Sequence, residues 1–529
     1  FPTEKVVGGF DFVGEDWPNS PEKPDPDPID FEGHGTHVAD IVGGSSADGT
    51  HVGVAPGVSL WAVKVCSAVS TSCSGLALLQ AVDFSLDPDG DGDLSDRVDV
   101  MNLSLGSSYG QREDDLSAAL AHAVDLGVVV VASAGNGANR QYIVGSPSTE
   151  PKVISVAQTQ VPSSKLYLIE AGGVTVGGSL QAWSAPLAGV VSGELAYDTA
   201  SAGTRRGCTD AAGTSPFAAG SHTGQVLLLD RGTCAVSVKV ANAKTAGAIA
   251  AIVANNAAQG PGELPPDFSY GGGDASIPGL TVTLVDGTSL KSVVGATAGI
   301  DPASAVSLVR NMVSSSSRGP SSSYQAIKPD LGAPGASVSA EAGTGDGETA
   351  FGGTSGAAPM VAGAAALLLQ AYPALQPHEV KARLMNAAET NITTYAGPPS
   401  ASNPLAPLSR IGGGELRVDR SHALTTALWD ASDPAAVSLS LGVPRMTGTQ
   451  VLRKRVLVRN YSNAARTYSI ATSFRSAADQ ASGAVTVSAP ASISVPANGN
   501  ATFILSVSVN AAALPNWQAT GISGGFNGG

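Results

Sequence analysis

The run Gly127-Val-Val-Val-Val-Ala-Ser133 constrains the fold more than any other part of the chain. It shows no apolar–polar alternation, is dense in β-branched residues, and follows a helical segment from Asp114 to Leu126, so it reads as a strand buried on both faces. Such a strand needs a covering layer on each side. Around it, short Val-rich runs alternate with longer helical stretches: Leu60-Trp-Ala-Val-Lys-Val65, then Ser74 to Ser85, then Val98 to Leu105. This βαβ order predicts an α/β fold with a doubly wound, mainly parallel sheet.

The chain has 529 residues, room for about three domains. From Gln160 the texture turns to Gly, Ser and Thr with short alternating strands, among them Gly224-Gln-Val-Leu-Leu-Leu-Asp230 and Gly279-Leu-Thr-Val-Thr-Leu-Val285. The βα texture resumes at Val313, with helices expected over Ser355 to Tyr372, stopped by Pro373, and over Pro377 to Glu389. A Pro/Ser/Gly-rich stretch, Gly397 to Gly414, precedes alternation like that of a β-sandwich from Val437 to Val509. The expected division is 1–159 and 313–430 for one interrupted α/β domain, 160–312 for a β-rich insertion, and 436–529 for the sandwich. Ile522 to Gly529 brings no finishing strand, so the sandwich is expected to be incomplete.

Charged residues make up 14% and apolar ones 43%, against roughly 25% charged in typical soluble proteins, which excludes disorder throughout. With 29 Lys+Arg against 44 Asp+Glu, a net charge of −15 and no basic run, nucleic acid and anionic membranes are not expected partners. The longest uncharged apolar stretch, Gly356 to Leu369, falls short of the roughly 20 residues that span a bilayer, so no membrane span is expected. Phe1-Pro-Thr-Glu-Lys5 has no signal-peptide pattern, which is consistent with prior removal of a leader. The four cysteines form two local groups, Cys66 with Cys73 and Cys208 with Cys234. Of the three possible pairings the local one closes short loops, each stabilising by about 2.5–3.5 kcal/mol. Two such pairs favour an oxidising compartment and a secreted protein over buried free thiols in the cytosol.

Several short motifs carry chemistry. His34 lies in Gly33-His-Gly-Thr-His-Val-Ala39, where the following residues can start a helix. A metal site fits this run poorly, because it lacks a Glu and a third ligand. Ser355, in Phe351-Gly-Gly-Thr-Ser-Gly-Ala-Ala-Pro-Met-Val-Ala-Gly363, starts a long apolar helix. The N–H groups and dipole there favour an anion forming beside the hydroxyl, as acyl transfer requires. A plain N-cap is the alternative. Asn136, closing Val131-Ala-Ser-Ala-Gly-Asn136, is a candidate oxyanion donor or a turn residue. Met101-Asn-Leu-Ser-Leu-Gly106 offers Ser104, Leu105 and Gly106 to an extended peptide, or is a buried strand.

Together, Gly-His-Gly-Thr-His, Asn-Leu-Ser-Leu-Gly, Ala-Gly-Asn and Gly-Thr-Ser-Gly-Ala-Ala-Pro resemble the subtilisin-like serine proteases in identity, order and approximate spacing. The resemblance implies a secreted endopeptidase acting on polypeptides, with His34 as general base, Ser355 as nucleophile and Asn136 in the oxyanion hole. It implies no catalytic cofactor, and it places Ser104, Leu105, Gly106, Ala132, Ser133, Ala134 and Gly135 along the substrate cleft. An α/β-hydrolase fits less well, since its order is Ser, acid, His. Gly224 to Cys234, Lys239 to Ala248 and Ile252 to Asn255 are similar to a protease-associated (PA) domain, and Val456 to Val509 to a fibronectin type III-like sandwich. Ser316-Ser-Arg-Gly-Pro320 and Lys328-Pro-Asp-Leu-Gly-Ala-Pro-Gly335 look like the return into the catalytic domain.

Two departures from the family pattern stand out. The triad Asp, expected on a first strand some tens of residues before His34, is not in this sequence, and neither Asp11 nor Asp30 matches its setting. In a subtilisin, loss of that Asp lowers kcat about 3 × 10⁴-fold, so the chain as given is expected to be nearly inactive unless upstream residues supply it. A catalytically inactive peptide-binding relative is the alternative. Asp40 stands where the family commonly has Gly.

Asp87, Asp89, Asp91, Asp93 and Asp96 form an EF-hand-like spacing with Gly92 at position 6, which predicts a structural Ca²⁺ loop despite Val98 at position 12.

Overall fold

The computed structural model describes residues 1–257, 264–268, 271–323, 326–335, 337–395, 403–442 and 446–514, with the backbone alone for residue 337. The run Ile522 to Gly529 and part of the linker that begins at Gly397 lie outside them. Chain contacts divide the molecule into two compact units, the first comprising 1–160, 315–392 and 405–529, the second 161–314 and 393–404.

The first unit opens with strand β1 (Val6–Asp11), helix α1 (His34–Gly43), β2 (Leu60–Lys64), α2 (Gly75–Leu86), β3 (Val100–Leu103), α3 (Asp115–Asp125), β4 (Val129–Ser133) and β5 (Ile154–Thr159). All of β4 is buried. One face, Val129 and Val131, joins the main core, and the other, Val130 and Ala132, packs with Leu120, Ala123 and Val124 of α3. The unbroken Val run is therefore covered on both sides, as its composition demands.

The second unit carries β6 (Lys165–Ala171), β7 (Val174–Leu180), β8 (Val191–Ala196), α4 (Ala202–Arg206), β9 (Val226–Asp230), α5 (Val236–Thr245), β10 (Ala250–Ala254), β11 (Gly279–Val282), α6 (Leu284–Lys291), β12 (Thr297–Ile300) and β13 (Val306–Ser307). Strands β8 to β11 are parallel neighbours, and β11–β7–β6–β12–β8 pair antiparallel to close a ring of seven. The strand expected from Gly279 to Val285 stops at Val282, because the Thr283 hydroxyl caps the Asp286 N–H and starts α6 there.

Back in the first unit come β14 (Leu331–Pro334), β15 (Ser337–Ala340), β16 (Glu348–Phe351), α7 (Thr354–Ala371) and α8 (Pro377–Asn386). Strands run parallel in the order β14-β5-β4-β3. Helix α7 lays Ala357, Ala358, Val361, Ala362, Ala364, Ala365 and Leu368 on this sheet. Its small residues let it approach closely, since a Cβ on Gly356 would sit 2.2 Å from the Gly335 carbonyl oxygen. By length and composition α7 could cross a membrane, but 61% of it is buried as a core helix. β17 (Thr426–Asp430), β18 (Thr449–Asn460), β19 (Arg466–Ser469), β20 (Val485–Ser488), β21 (Ser492–Val495) and β22 (Asn500–Asn510) follow. Here an antiparallel sheet β17-β18-β22-β20 accompanies the pair β19-β21.

The parallel sheet is interrupted. Strand β2 pairs with β1 alone and β3 with β4 alone among the described residues, although α2 connects β2 to β3 as a βαβ crossover. A cavity of about 2410 Å³ lies between them, lined by Leu60 to Lys64 and Val100 to Leu103, by one side of α1 and by Ala362 and Ala366 of α7. Two disulfides form, Cys66–Cys73 and Cys208–Cys234.

Candidate active site

His34 is the first residue of α1, after Gly33 at φ 100°. The Asp30 carboxylate organises this helix start, accepting from Gly33 N at 2.7 Å, Thr36 N at 2.8 Å and Thr36 Oγ1 at 2.8 Å. Burial alone would push the Asp30 carboxyl up, but these bonds outweigh it and hold it below the usual carboxylate range. Burial lowers the His34 pKa, against the opposing charges of Glu32 and Asp30, so its imidazole is neutral at neutral pH. No carboxylate pairs with the His34 imidazole among the described residues; the Phe351 ring packs edge-on against it at 5.2 Å and stacks on His37 at 4.7 Å. His37 Nδ1 lies 2.7 Å from Ser339 Oγ.

Ser355 is the second residue of α7, whose N-terminus begins after Gly353 at φ 80°. Pro359 has no N–H, so the Ser355 carbonyl, its i−4 partner, is left without a helical donor. The Ser104 hydroxyl supplies one at 2.9 Å, and Ser355 Oγ donates to the Ser104 carbonyl at 3.3 Å. These two bonds fasten the nucleophile candidate to the end of β3. Asn136 Oδ1 accepts from Thr354 N at 3.0 Å and Thr354 Oγ1 at 3.1 Å, and Gly135 N donates to Thr354 Oγ1 at 3.1 Å. This fixes the amide beside the α7 N-terminus and leaves Asn136 Nδ2 without a partner among the described residues. Thr354, fully buried, is the orienting residue that sequence reasoning missed. Its only signal was its place inside Gly-Thr-Ser-Gly.

Of the proposed cleft residues, Ser104, Leu105 and Gly106 border the large cavity together with His34. Ala132 and Ala134 are fully buried, and the Ala134 and Gly135 carbonyls already accept from Gly145 N and Ser317 N. Ser133 Oγ donates to the Leu105 carbonyl at 3.5 Å, tying β4 to the end of β3. His34 and Ser355 share no hydrogen bond among the described residues; Ser355 Oγ faces Ser104 instead.

In the acidic loop, Asp87, Asp89 and Asp96 bring carboxylate oxygens within 4.8 Å of one another, while Asp91 and Asp93 fall outside that group. The backbone N–H groups of Gly90, Asp91 and Gly92 converge on the Asp87 carboxylate at 2.9–3.1 Å. For Asp89, the hydrogen bond from the Asp91 N–H favours the charged form, but desolvation and then the neighbouring charges of Asp91, Asp96 and Asp87 together raise its pKa. Three carboxylates supply part of the six to eight oxygens that Ca²⁺ takes.

Residues 10–414 match the family model described as the subtilase family, and the chain belongs to that family. It is similar to the minor extracellular protease Vpr of Bacillus subtilis (strain 168), with 30% identity over 91% of this chain and 56% of that protein. It is also similar to the subtilisin-like protease SBT3.9 of Arabidopsis thaliana, with 29% identity over 74% of this chain and 52% of that protein. The chain thus spans about half the length of the curated relatives it matches. Among solved structures, the psychrophilic subtilisin-like protease Apa1 from the Antarctic Pseudoalteromonas sp. AS-11 matches at 18% identity over 78% of this chain and 87% of that one, with a TM-score of 0.37.

Proposed function

We propose that this chain belongs to a secreted serine endopeptidase that hydrolyses peptide bonds of proteins through an acyl-enzyme on Ser355. Neutral His34 takes the hydroxyl proton as Ser355 Oγ attacks the scissile carbonyl, then returns it to the leaving amine. Asn136 Nδ2 and the α7 N-terminus donate to the oxyanion. The observation carrying this reading is the Asn136–Thr354 clamp, which commits Oδ1 of the amide and leaves its N–H₂ available beside the nucleophile. Ser104, Leu105, Gly106 and Ala132 to Gly135 form the cleft in this reading, and substrate recognition is mainly through backbone.

The triad Asp is assigned to residues upstream of Phe1, on a parallel strand inserted between β2 and β3. Two sheet edges without partners among the described residues, both facing one cavity, support this assignment, because buried backbone N–H and C=O groups need partners. The chain as given is then a form of low activity. Residues 160–312 are assigned to a PA domain and 436–529 to a fibronectin type III-like sandwich. The acidic loop is assigned to structural Ca²⁺, with Asp87, Asp89 and Asp96 as the first ligands, and an extracellular location is supported by the likeness to the minor extracellular protease Vpr.

The test is fluorophosphonate labelling of this chain and of a longer form carrying the upstream segment, with Ser355→Ala as control. Labelling of Ser355 in the longer form alone supports the proposal. A folded longer form that never labels favours a peptide-binding relative without activity.

A further inference from the structure

In the second unit, Lys239 is fully buried on α5. Its Nζ donates to the Arg206 carbonyl at 2.7 Å and the Gly232 carbonyl at 2.8 Å, and it lies 3.1 Å from Cys208 Sγ of the Cys208–Cys234 disulfide. No carboxylate pairs with it among the described residues. Asp230, whose charge acts on it from a distance beyond an ion pair, is engaged by Lys291, Arg205 and Tyr197. Burial brings the ammonium down to about 8, so it still carries its charge at pH 7 while lacking a counter-ion. Thr233 Oγ1 stands 3.0 Å from the same sulfur. Both cysteines are partly exposed, and Cys208 and Thr233 border a cavity of about 300 Å³, which gives a small reagent room to reach a freed Cys208 sulfur. At the other disulfide, no cation hydrogen-bonds to Cys66 or Cys73 among the described residues.

We propose that Cys208–Cys234 is a thiol-exchange site, at which an external thiol attacks Cys234 and Cys208 departs as a thiolate held by Lys239 and Thr233. The leaving sulfur's thiolate character governs such exchange, and a cation beside a cysteine lowers its pKa well below about 8.5. The incoming thiolate forms a bond to Cys234 Sγ as the Cys208–Cys234 bond breaks, and the electron pair leaves on Cys208 Sγ. A second reductant thiolate then removes the first from Cys234. The protein disulfide gains two electrons and the thiol reductant loses two.

The test treats the folded full chain at pH 7 with 2-mercaptoethanesulfonate, traps with iodoacetamide and maps adducts by mass spectrometry. The expected result is the sulfonate thiol on Cys234 and carbamidomethyl on Cys208, at a thiol concentration at least tenfold below that opening Cys66–Cys73. An adduct mainly on Cys208, or opening no earlier than Cys66–Cys73, overturns the proposal. Lys239→Met is expected to abolish the preference for Cys234 and slow exchange about tenfold, and Lys239→Arg to restore both. If Lys239→Met does not fold, the pH profile of Cys208 alkylation in the reduced wild-type chain decides. A midpoint one unit or more below about 8.5 supports the site, and an ordinary midpoint overturns it.

Discussion

Asp330 carries an unusual burden for one carboxylate. Its Oδ2 accepts from Ser155 N at 2.9 Å and from Lys328 Nζ at 2.8 Å, and its Oδ1 pairs with Lys381 Nζ at 3.0 Å. All three side chains are about 2–3% exposed, and among the described residues the lysines otherwise donate to the carbonyls of Glu150, Val153 and Pro151. Asp330→Asn keeps the shape but takes from two buried ammonium groups the carboxylate they both pair with. Removing one partner from a buried pair costs about 3–5 kcal/mol, and that is the loss expected in urea unfolding at pH 7. Burial already lowers Lys328 to about 8 despite the attraction of Asp330. Without Asp330 it falls further, while the unfolded lysine keeps its proton to about 10.4. The unfolded variant therefore binds more protons than the folded one from a lower pH upward, so its stability rises with pH where the wild type is still flat. Between pH 7 and the wild-type value of about 8 the deficit should narrow, by up to about 1.4 kcal/mol, and above it both proteins gain stability together. Tryptophan fluorescence in urea at pH 7 and pH 9 measures both numbers, with buried Trp429 of the same core as a reporter. A loss under about 1 kcal/mol at pH 7, or a deficit that widens at pH 9, refutes the reasoning; the double variant Asp330→Asn/Lys381→Met should recover part of the loss.

Other perturbations separate the roles assigned above. Asn136→Asp retains the acceptor for Thr354 but loses the N–H₂; labelling of Ser355 in the longer form should fall about 10²–10³-fold, a magnitude taken from the oxyanion asparagine of a subtilisin, with melting little changed. Burial lowers His34 below its ordinary value in this chain, and a carboxylate supplied by the upstream segment would raise it, so the acid limb of Ser355 labelling in the longer form should lie above the His34 midpoint of this chain read by NMR; a limb at or below that midpoint contradicts the upstream Asp. Replacing Cys66 and Cys73 by Ser opens a loop of sequence separation 7 and should cost about 2.5 kcal/mol in chemical unfolding. EDTA should lower the melting temperature and Ca²⁺ restore it, whereas an unchanged melt removes the metal from the acidic loop.

What the sequence made legible depends on how local the deciding physics is. The Val run of β4, the helical segments from Ser74 and from Asp114, and the Pro377 start of α8 are short-range signals, and the structure places elements within a residue or two of them. The end of β11 was missed because the Thr283 cap competes with continued apolar alternation, and the cap wins. At the site, motif identity singled out His34, Ser355 and Asn136, but not that Thr354 holds Asn136 or that Ser104 takes the carbonyl freed by Pro359. Those links span 218 and 251 residues, beyond any periodicity. The acidic loop shows the reverse limit: spacing put five carboxylates in one set, and backbone turns at Gly90 and Gly92 leave three within reach of a common point.

The two halves of the proposed site are built with unequal firmness, and the reason lies in the sheet. The nucleophile half rests on β3, β4 and α7, where Ser104, Gly135, Asn136 and Thr354 interlock through hydrogen bonds of 2.9–3.3 Å. The base half rests on α1, which lines the cavity through Gly35, Thr36, Val38, Ala39 and Val42 rather than packing there on a strand. Asp30 fixes where α1 begins and Phe351 limits the ring on one side, yet neither sets the imidazole tautomer or turns it toward Ser355. A strand seated between β2 and β3 would satisfy both open edges, give α1 a surface to pack on, and carry a carboxylate level with His34 at its carboxyl end. One insertion would thus complete the sheet and orient the base, which makes stability and labelling of the longer form rise together. If the upstream segment raised stability while Ser355 stayed unlabelled, the strand would be structural and the carboxylate would have to be sought elsewhere.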